Sequence, residues 1–263
     1  DIYVNDAFGV SHRDHASISG IHQFFKEKKY KGFLLEKELS ALNQLKQSPK
    51  HPYTVLIGGS KIGSKIHILR TFLNVADNIL IGGGMAFPFI KYLGGEIGNS
   101  LCSNEELKVV QDFLLKSSST KTNVVLPTDC VITEEINQKK NLSVCKINKI
   151  PKMYMGVDIG PETIRDFSNL IESSGSIMWN GPMGVAEIDE FSYGTKSLAK
   201  TIAFCTSRGL YSLIGGGDTV SDMSRFGLKN QFSYVSTGGG AMLAFFKNPD
   251  LIGAKNLKSL DKI

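Results

Sequence analysis

The pattern of apolar and polar positions along the chain predicts six buried strands. Each of six short apolar runs ends at a turn signal, and the runs centre on Val55, Leu80, Val124, Met178, Leu213 and Val235. Most segments between these runs are long enough for a crossover helix, which is typical of parallel strands in a layered α/β domain. Strands buried in a parallel sheet also read as continuous apolar runs, as these do. We therefore expect an α/β domain built on a parallel sheet of these strands.

Two further segments have the apolar spacing of amphipathic helices. In "GPETIRDFSNLI", Pro161 fits a first helical turn and Ile164 and Phe167 fall on one face. In "GFLLEKELSALNQLKQ", which ends before Pro49, one stripe consists of Leu35, Leu39, Leu42 and Leu45. Because this helix separates residues 1–31 from the predicted strands, we interpret it as a connector between two bodies. The segment from about Lys247 onward has no strong strand pattern.

Composition and charge exclude several classes of protein. The chain has 263 residues, of which 41% are hydrophobic and 21% charged, as in a globular protein of one or two domains. No apolar run has the length of a membrane span, and no signal segment opens the chain. The net charge of +5 comes from dispersed lysines without a basic run, so we expect no nucleic-acid partner and no membrane partner.

The cysteines and the first residues bear on location and completeness. The cysteines occur without a CxxC pair, at Cys102, Cys130, Cys145 and Cys205. This scatter favours reduced thiols in a cytoplasmic protein over a disulfide framework or a zinc site. The chain begins at Asp1 inside a strand-like apolar run and without a methionine, so we expect further sequence upstream in the complete protein.

Glycines at the strand ends predict where a ligand binds. Four of the six apolar runs end in glycine clusters, and a fifth ends in Asn-Gly-Pro. In an open parallel sheet the ligand lies beyond the carboxyl ends of the strands, where glycines let phosphates reach backbone N–H groups and helix N-termini. Neither "GGGMAF" nor "GGGDTV" completes a GxGxxG motif, and "GGSKIGSK" reverses the end of a P-loop. A dinucleotide-dependent dehydrogenase is therefore a weaker hypothesis than another phosphate-binding protein.

Side chains near these glycines suggest the chemistry. Lys61 and Lys65 are four residues apart, so they would share a face if a helix begins there, and both could reach polyphosphate oxygens. Asp218 follows a glycine cluster, where a carboxylate could hold Mg²⁺ against phosphates, and Thr219 could add a hydroxyl. The alternative for this pair is a helix cap, and both roles could hold at once. Backbone N–H groups of residues 238–240 could stabilise a transferring phosphoryl group.

At this point the motifs carry a family resemblance. The strings "VNDAFGVSHRDHAS", "GGSKIGSK", "IGGGMAF", "WNGPMGVAE", "IGGGDT" and "STGGGA" follow the order and approximate spacing of the phosphoglycerate kinase family. The chain resembles that family from Asp1 to about Ala241. The resemblance implies a monomeric glycolytic enzyme that reversibly transfers a phosphoryl group between 1,3-bisphosphoglycerate and ADP. Its N-terminal domain would bind 3-phosphoglycerate or 1,3-bisphosphoglycerate, and its C-terminal domain Mg²⁺ with ADP or ATP.

The same resemblance implies the domain organisation. We expect an α/β fold in which a three-layer α/β/α, Rossmann-like nucleotide-binding domain with a six-stranded parallel sheet follows the end of a second α/β domain. The expected parts are 1–31, the remnant of the phosphoglycerate-binding domain; 32–48, the interdomain helix; 49–241, the nucleotide domain; and 242–263, a segment returning toward the first domain. The chain would then be a fragment that lacks most of the N-terminal domain.

The resemblance also assigns site residues. Arg13 matches an arginine that binds phosphoglycerate, while His12 and His15 are interpreted as patch or packing residues. The matched nucleotide-binding residues are Lys61, Lys65, Gly83, Gly84, Gly156, Asn180, Gly181, Glu187, Gly216, Gly217, Asp218 and Thr219, with Asp218 as the Mg²⁺ ligand and Glu187 on the ribose. The residues expected to act on the transferring group are Lys61, Lys65, Gly238, Gly239 and Gly240.

Two departures from the family bear on these expectations. Ala186 stands where the family usually has phenylalanine before the ribose glutamate, and the segment after "STGGGA" lacks two usual glutamates. The chain alone could also be a Mg-nucleotide-binding module with negligible kinase activity, since most of the phosphoglycerate-binding residues would lie upstream. A purely structural role would leave the converging glycines unexplained.

Overall fold

The computed structural model describes residues 1–63, 65–137 and 141–260. In these ranges the strands are β1 Tyr3–Asn5, β2 Lys29–Lys31, β3 Tyr53–Ile57, β4 Asn78–Ile81, β5 Glu96–Ile97, β6 Asn123–Val125, β7 Asp129–Thr133, β8 Ser143–Lys146, β9 Lys149–Ile150, β10 Met155–Ile159, β11 Ser176–Asn180, β12 Tyr211–Gly215 and β13 Tyr234–Val235. The α-helices there are α1 Phe33–Gln47, α2 Ile66–Phe72, α3 Phe87–Tyr92, α4 Asn104–Ser117, α5 Pro161–Glu172, α6 Tyr193–Ser207, α7 Gly217–Arg225 and α8 Gly239–Lys247. None of these helices is long and apolar enough to cross a membrane.

The centre of the molecule is a six-stranded parallel sheet. Its strand order is β13, β12, β11, β3, β4, β6, and every neighbouring pair is parallel. These strands are the six apolar runs, so the predicted sheet is confirmed. Every residue of β3, β4 and β11 is buried, as expected for strands covered on both faces.

Helices cover both faces of this sheet, which confirms the three-layer α/β/α fold. On β3, Val55 and Ile57 belong to one apolar cluster while Leu56 belongs to the other, since successive side chains point to opposite faces. The first cluster includes side chains of α1, α2, α4 and α8, and the second includes side chains of α5, α6 and α7. The two layers of helices therefore fix the orientation of the sheet and of the loops at its ends.

Both predicted amphipathic helices are present. Helix α5 begins at Pro161 as expected, and Phe167 and Ile171 are buried against the sheet. Helix α1 connects residues 1–31 to β3, and its buried face includes Leu35 and Leu42. Of the predicted stripe, Leu39 is only partly buried, while the carboxylate-bearing Glu38 is fully buried.

A second sheet, which the apolar pattern did not predict, lies beside the main one. Strands β10, β7 and β8 pair antiparallel in that order. One side of this sheet packs on α3 through an apolar cluster that includes Phe87, Cys130, Ile132 and Ile147. This sheet forms a wall next to the loops that follow β4 and β11.

The two ends of the described chain lie together. Strands β1 and β2 form a parallel pair, and Lys258 extends it by accepting from the backbone N–H of Lys31 and donating to Lys29 O, at 2.8 and 3.0 Å. Gly253 N donates to Ser11 O at 2.8 Å. The predicted boundary at residue 241 falls inside α8, and residues 261–263 of the predicted segment 242–263 lie outside the described ranges. The division into domains stays a prediction.

Asp129 connects the second sheet to helix α5, which covers one face of the main sheet. Helix α5 starts after Gly160, which has no side chain to cap it, and Asp129 of β7 accepts from Glu162 N at 3.0 Å and Thr163 N at 2.8 Å instead. Asp129→Ala removes this buried acceptor, so we expect the free energy of unfolding to fall by about 2 to 4 kcal/mol in urea titrations. The control is Asp166→Ala, whose exposed carboxylate pairs with Arg165 and should change stability by less than about 0.5 kcal/mol. Equal stability of the two variants would contradict the capping role.

Candidate functional site

Two adjoining clefts open at the carboxyl edge of the main sheet. The larger has a volume of about 560 Å³ and the smaller about 250 Å³. They are bounded by the loops that follow β3, β4, β11 and β12 and by the start of α8. Asp218 lines both clefts, so one ligand could extend from one to the other past this carboxylate.

The smaller cleft gathers residues from four distant parts of the chain. It is lined by Lys65, Asn180, Gly181, Gly216, Gly217, Asp218, Thr219, Gly239, Gly240 and Leu243. All of these except Leu243 are among the site residues that the sequence predicts. The structure brings them together because parallel strands end at the same edge of the sheet.

The larger cleft is mainly apolar and takes in three more of the predicted glycines, whereas Gly238 is not in the lining of either cleft. Gly83, Gly84 and Gly156 line it together with Glu187. Its apolar wall includes Phe87 of α3, Cys130 and Met155 of the second sheet, and the loop residues Leu101 and Ile147. A Cβ on Gly156 would lie 2.3 Å from the Phe87 ring, so only glycine lets this ring approach the strand so closely.

Lys65 is a half-buried cation that is hydrogen-bonded to two carbonyl oxygens. Its Nζ donates to Gly58 O at 2.6 Å and to Asn180 O at 3.4 Å. Burial lowers the pKa of Lys65 to about 8, while the Asp218 carboxylate opposes this shift. The ammonium is therefore held at the wall of the smaller cleft by groups that do not neutralise it fully.

Glycine at position 181 makes this arrangement possible. Gly181 has a φ of 96°, and a Cβ there would lie 2.4 Å from Lys65 Nζ and 2.2 Å from Gly58 O. Its N–H donates to Thr219 Oγ1 at 2.7 Å, which ties the loop after β11 to α7. Gly181, which has no side chain, therefore holds the loop before α2, with Lys65, next to the first turn of α7, with Thr219.

Asp218 and Thr219 do not act as the cap of α7. The N-cap position is Gly216, and no described side chain caps the helix there. Thr219 is fully buried and accepts from Gly181, and Asp218 lies in the first helical turn and lines both clefts. The capping alternative is therefore wrong, and the Asp218 carboxylate is directed to the clefts.

The expected helical pairing of Lys61 with Lys65 is not formed. Helix α2 begins at Ile66, with Lys65 at its N-cap position, so the two lysines share no helix face. Lys61 is exposed in the middle of the loop between β3 and α2, outside the lining of the two clefts formed by the described residues. Its role toward a nucleotide stays a prediction.

The three glycines at the start of α8, residues 238–240, lie close to the N-terminal segment. Gly239 and Gly240 open the helix, where the first backbone N–H groups have no partner within the helix. A Cβ on Gly238 would lie 2.7 Å from Gly9 Cα, and one on Gly240 would lie 3.5 Å from His12 Nε2. Arg13, which follows His12, is exposed.

The histidines of this segment show no metal centre. Burial lowers the pKa of His12, and the neighbouring Arg13 lowers it further. His15 is exposed. Within residues 1–63, 65–137 and 141–260, no group of three or more His, Cys, Asp or Glu side chains is placed to hold a metal ion.

Two carboxylates of the larger cleft were missed by the sequence reasoning. Asp158 is buried and accepts from Gly194 N at 2.6 Å and Ile159 N at 2.9 Å. Burial raises its pKa to about 7, and these hydrogen bonds partly oppose the rise. Asp222 lies one helical turn after Asp218, and burial raises its pKa despite its bond to Arg225. The sequence did contain a signal for each of these residues. For Asp158 it was a carboxylate inside an apolar strand, and for Asp222 it was the i, i+4 spacing from Asp218.

The fold and site define an open-sheet α/β protein with a glycine-rich cleft at the carboxyl edge of its strands. Residues 1–248 match the family model described as phosphoglycerate kinase. The chain belongs to the phosphoglycerate kinase family, a family of kinases.

Known proteins of this family cover nearly the whole chain. It is 43% identical to the phosphoglycerate kinase of Thermosipho africanus (strain TCF52B), and the match takes in 100% of this chain and 65% of the relative. The solved phosphoglycerate kinase of Coxiella burnetii is similar with a TM-score of 0.90 and 38% identity, over 97% of this chain and 64% of that one. The solved phosphoglycerate kinase of Pyrococcus horikoshii OT3 is similar with a TM-score of 0.80 and 28% identity, over 96% of this chain and 62% of that one. The chain thus spans less than two thirds of the length of these relatives.

Asp158 makes stability depend on pH. Its pKa is raised from 3.8 to about 7, so the native state binds this proton more tightly than the unfolded chain does. The stability that this proton contributes to the native state is fully present below the pKa of the unfolded chain. It is lost as the pH rises through the pKa of the folded state. We expect the free energy of unfolding of the wild type to fall from about pH 4 to about pH 7 relative to Asp158→Asn, by at most about 1.4 kcal/mol per pH unit. Asp166→Asn serves as control, and profiles of the same shape for all three proteins would contradict the shift.

Proposed function

We propose that this chain binds a magnesium-bound adenine nucleotide and carries the nucleotide half of a phosphoglycerate kinase. The reaction would be reversible phosphoryl transfer between 1,3-bisphosphoglycerate and ADP, giving 3-phosphoglycerate and ATP in glycolysis. This makes the protein a phosphotransferase with a carboxyl group as acceptor. Membership of the family supports this assignment.

The observation that carries the proposal is the pair of clefts joined at Asp218. The larger cleft is apolar along the wall that includes Phe87 and Met155, which suits a flat base, and Glu187 at its rim can accept from ribose hydroxyls. The smaller cleft is lined by glycines and by Lys65, which suits phosphates. A nucleotide laid across both clefts passes its phosphates beside Asp218.

Asp218 fits a magnesium ion that arrives with the nucleotide. Mg²⁺ keeps several waters and is usually held by one or two carboxylates together with substrate phosphates. Asp218 supplies one such carboxylate in the first turn of α7. The bound ion would neutralise phosphate charge, and the protein needs no larger cluster of ligands for that purpose.

The remaining groups suit charge stabilisation rather than acid–base chemistry. Lys65 and the first N–H groups of α8, from Gly239 and Gly240, border the smaller cleft and can stabilise the oxygens of a transferring phosphoryl group. Transfer from an acyl phosphate releases a carboxylate, so it requires no general base. Arg13 would bind phosphoglycerate from the side of residues 1–31, next to the loop at Gly238.

The complete reaction would need a longer protein than this chain. The phosphoglycerate kinase relatives are longer than this chain, which spans 65% of the Thermosipho africanus protein. We propose that residues 1–31 end the phosphoglycerate domain, that 32–48 connect it, and that 49–241 bind the nucleotide. The chain by itself would bind nucleotide with negligible transfer. The proposal includes a cytoplasmic monomer without a nucleic-acid or membrane partner.

Calorimetric titration with ADP, with and without Mg²⁺, tests the site. Asp218→Ala should weaken binding of ADP about tenfold when Mg²⁺ is present, because the carboxylate acts through the metal. Without Mg²⁺ the same change removes a negative charge near phosphates, so affinity should stay equal or rise. Lys65→Ala should weaken binding under both conditions, because it removes a cation that contacts phosphate directly.

The matched controls are Asp166→Ala and Lys200→Ala, which are on helices away from the clefts and should leave binding unchanged. A folded wild-type chain that binds no ADP would contradict the nucleotide site. An Asp218→Ala variant that loses the same affinity with and without Mg²⁺ would contradict the metal role. Rapid ATP formation from 1,3-bisphosphoglycerate by this chain alone would contradict the need for the longer protein.

A further inference from the structure

Two cysteines face each other across the second sheet. Cys130 of β7 is the direct register partner of Cys145 of β8 in the antiparallel pair. Their sulfur atoms are 4.0 Å apart, and both cysteines are free thiols. Cys102 and Cys205 lie elsewhere, before α4 and within α6. The register of β7 and β8 therefore creates a specific dithiol.

The backbone geometry of this pair suits a covalent bond. Residues directly opposite in an antiparallel pair have Cα atoms about 4.5 or 5.5 Å apart, depending on the type of pair. Disulfides form across Cα separations of about 4.4 to 6.8 Å, so either type is within range. The sulfurs have to approach from 4.0 Å to about 2.0 Å, which rotation of the side chains can supply without breaking the ladder.

The two thiols differ in access. Cys130 is 1% exposed and packs in the apolar cluster under the sheet, whereas Cys145 is half-buried. Burial raises the pKa of both thiols. A small oxidant therefore meets Cys145 first, and Cys130 is protected from solvent but not from its neighbour.

We propose that Cys130 and Cys145 form a modification site, at which a low-molecular-weight disulfide such as oxidised glutathione installs a reversible cross-strand disulfide. In the first step the Cys145 thiolate attacks one glutathione sulfur, forming a mixed disulfide and releasing one glutathione. In the second step the Cys130 sulfur attacks the Cys145 sulfur, the bond between Cys145 and glutathione breaks, and the Cys130 proton passes to the departing glutathione thiolate. One oxidised glutathione is thus reduced to two thiols for each protein disulfide formed.

The position of the bond connects it to the larger cleft. Cys130 lines that cleft, and the apolar cluster it shares with Phe87 and Ile147 forms the cleft wall. Drawing the Cys130 sulfur toward β8 removes it from this wall and changes the packing behind Phe87. This second part rests on the proposed function: affinity for ADP with Mg²⁺ should fall by at least about threefold on oxidation.

The test uses the whole chain treated with oxidised glutathione at mildly alkaline pH. We expect two thiols to disappear together, the mass to fall by two hydrogens, and a cross-linked peptide to join residues 130 and 145. Dithiothreitol should reverse all three changes. Cys145→Ser should abolish the cross-link, while Cys205→Ser, on α6, should leave it intact.

Three results would overturn the modification site. They are unchanged thiols, a glutathione adduct on Cys145 that persists in the wild type, and a disulfide that involves Cys102 or Cys205. ADP titration of the reduced and oxidised protein distinguishes failure of the proposed function from failure of the connection between the disulfide and the cleft. If the reduced protein binds no ADP, the proposed function fails while the cross-link still decides the site. If the bond forms and affinity is unchanged, the connection to the cleft is wrong.

Discussion

Close approach between backbones at the carboxyl edge of the main sheet is the constraint on which the site depends. A Cβ on Gly58 would lie 2.1 Å from Pro182 O, and one on Gly181 would lie 2.2 Å from Gly58 O. The loops after β3 and β11 can therefore lie side by side only because each leaves room for the other. The start of α8 repeats this contact with the loop after β12, since a Cβ on Gly239 would lie 2.6 Å from Gly216 Cα.

This packing decides the electrostatics of the smaller cleft. Where glycines leave the wall without side chains, it is formed by backbone groups and helix N-termini, and the charged side chains beside them are the Lys65 ammonium and the Asp218 carboxylate. Withdrawing an ammonium even partly from water is costly unless it is hydrogen-bonded, and the carbonyls of Gly58 and Asn180 meet that need. Because carbonyls are dipoles and not charges, the ammonium keeps its attraction for an anion. The cation is thus positioned in advance, so a bound phosphate gains without further reorganisation.

The reach of sequence reasoning follows from the same physics. The main sheet could be predicted because strands buried on both faces read as apolar runs, and the smaller cleft because such strands end at one edge whatever side chains follow. The second sheet was missed because most of β8 is exposed, so it carries no such run. Asp158 was missed because its acceptor role depends on Gly194, a partner distant in sequence. The shared face of Lys61 and Lys65, which required a helix to begin there, is not formed because the loop continues through Lys65.

One buried carboxylate connects α1 to the glycine loop at the site. Glu38 is fully buried, and its Oε1 accepts from Thr237 N at 2.6 Å and from Thr237 Oγ1 at 2.8 Å. Burial and this carboxylate together raise the pKa of Tyr234, so Glu38 acts on β13 as well. Thr237 directly precedes Gly238, which packs on Gly9. Gly9 and α1 therefore both contact the loop that leads to Gly239 and Gly240 in the lining of the smaller cleft, and a rotation of α1 would act on that loop through Glu38 and Thr237.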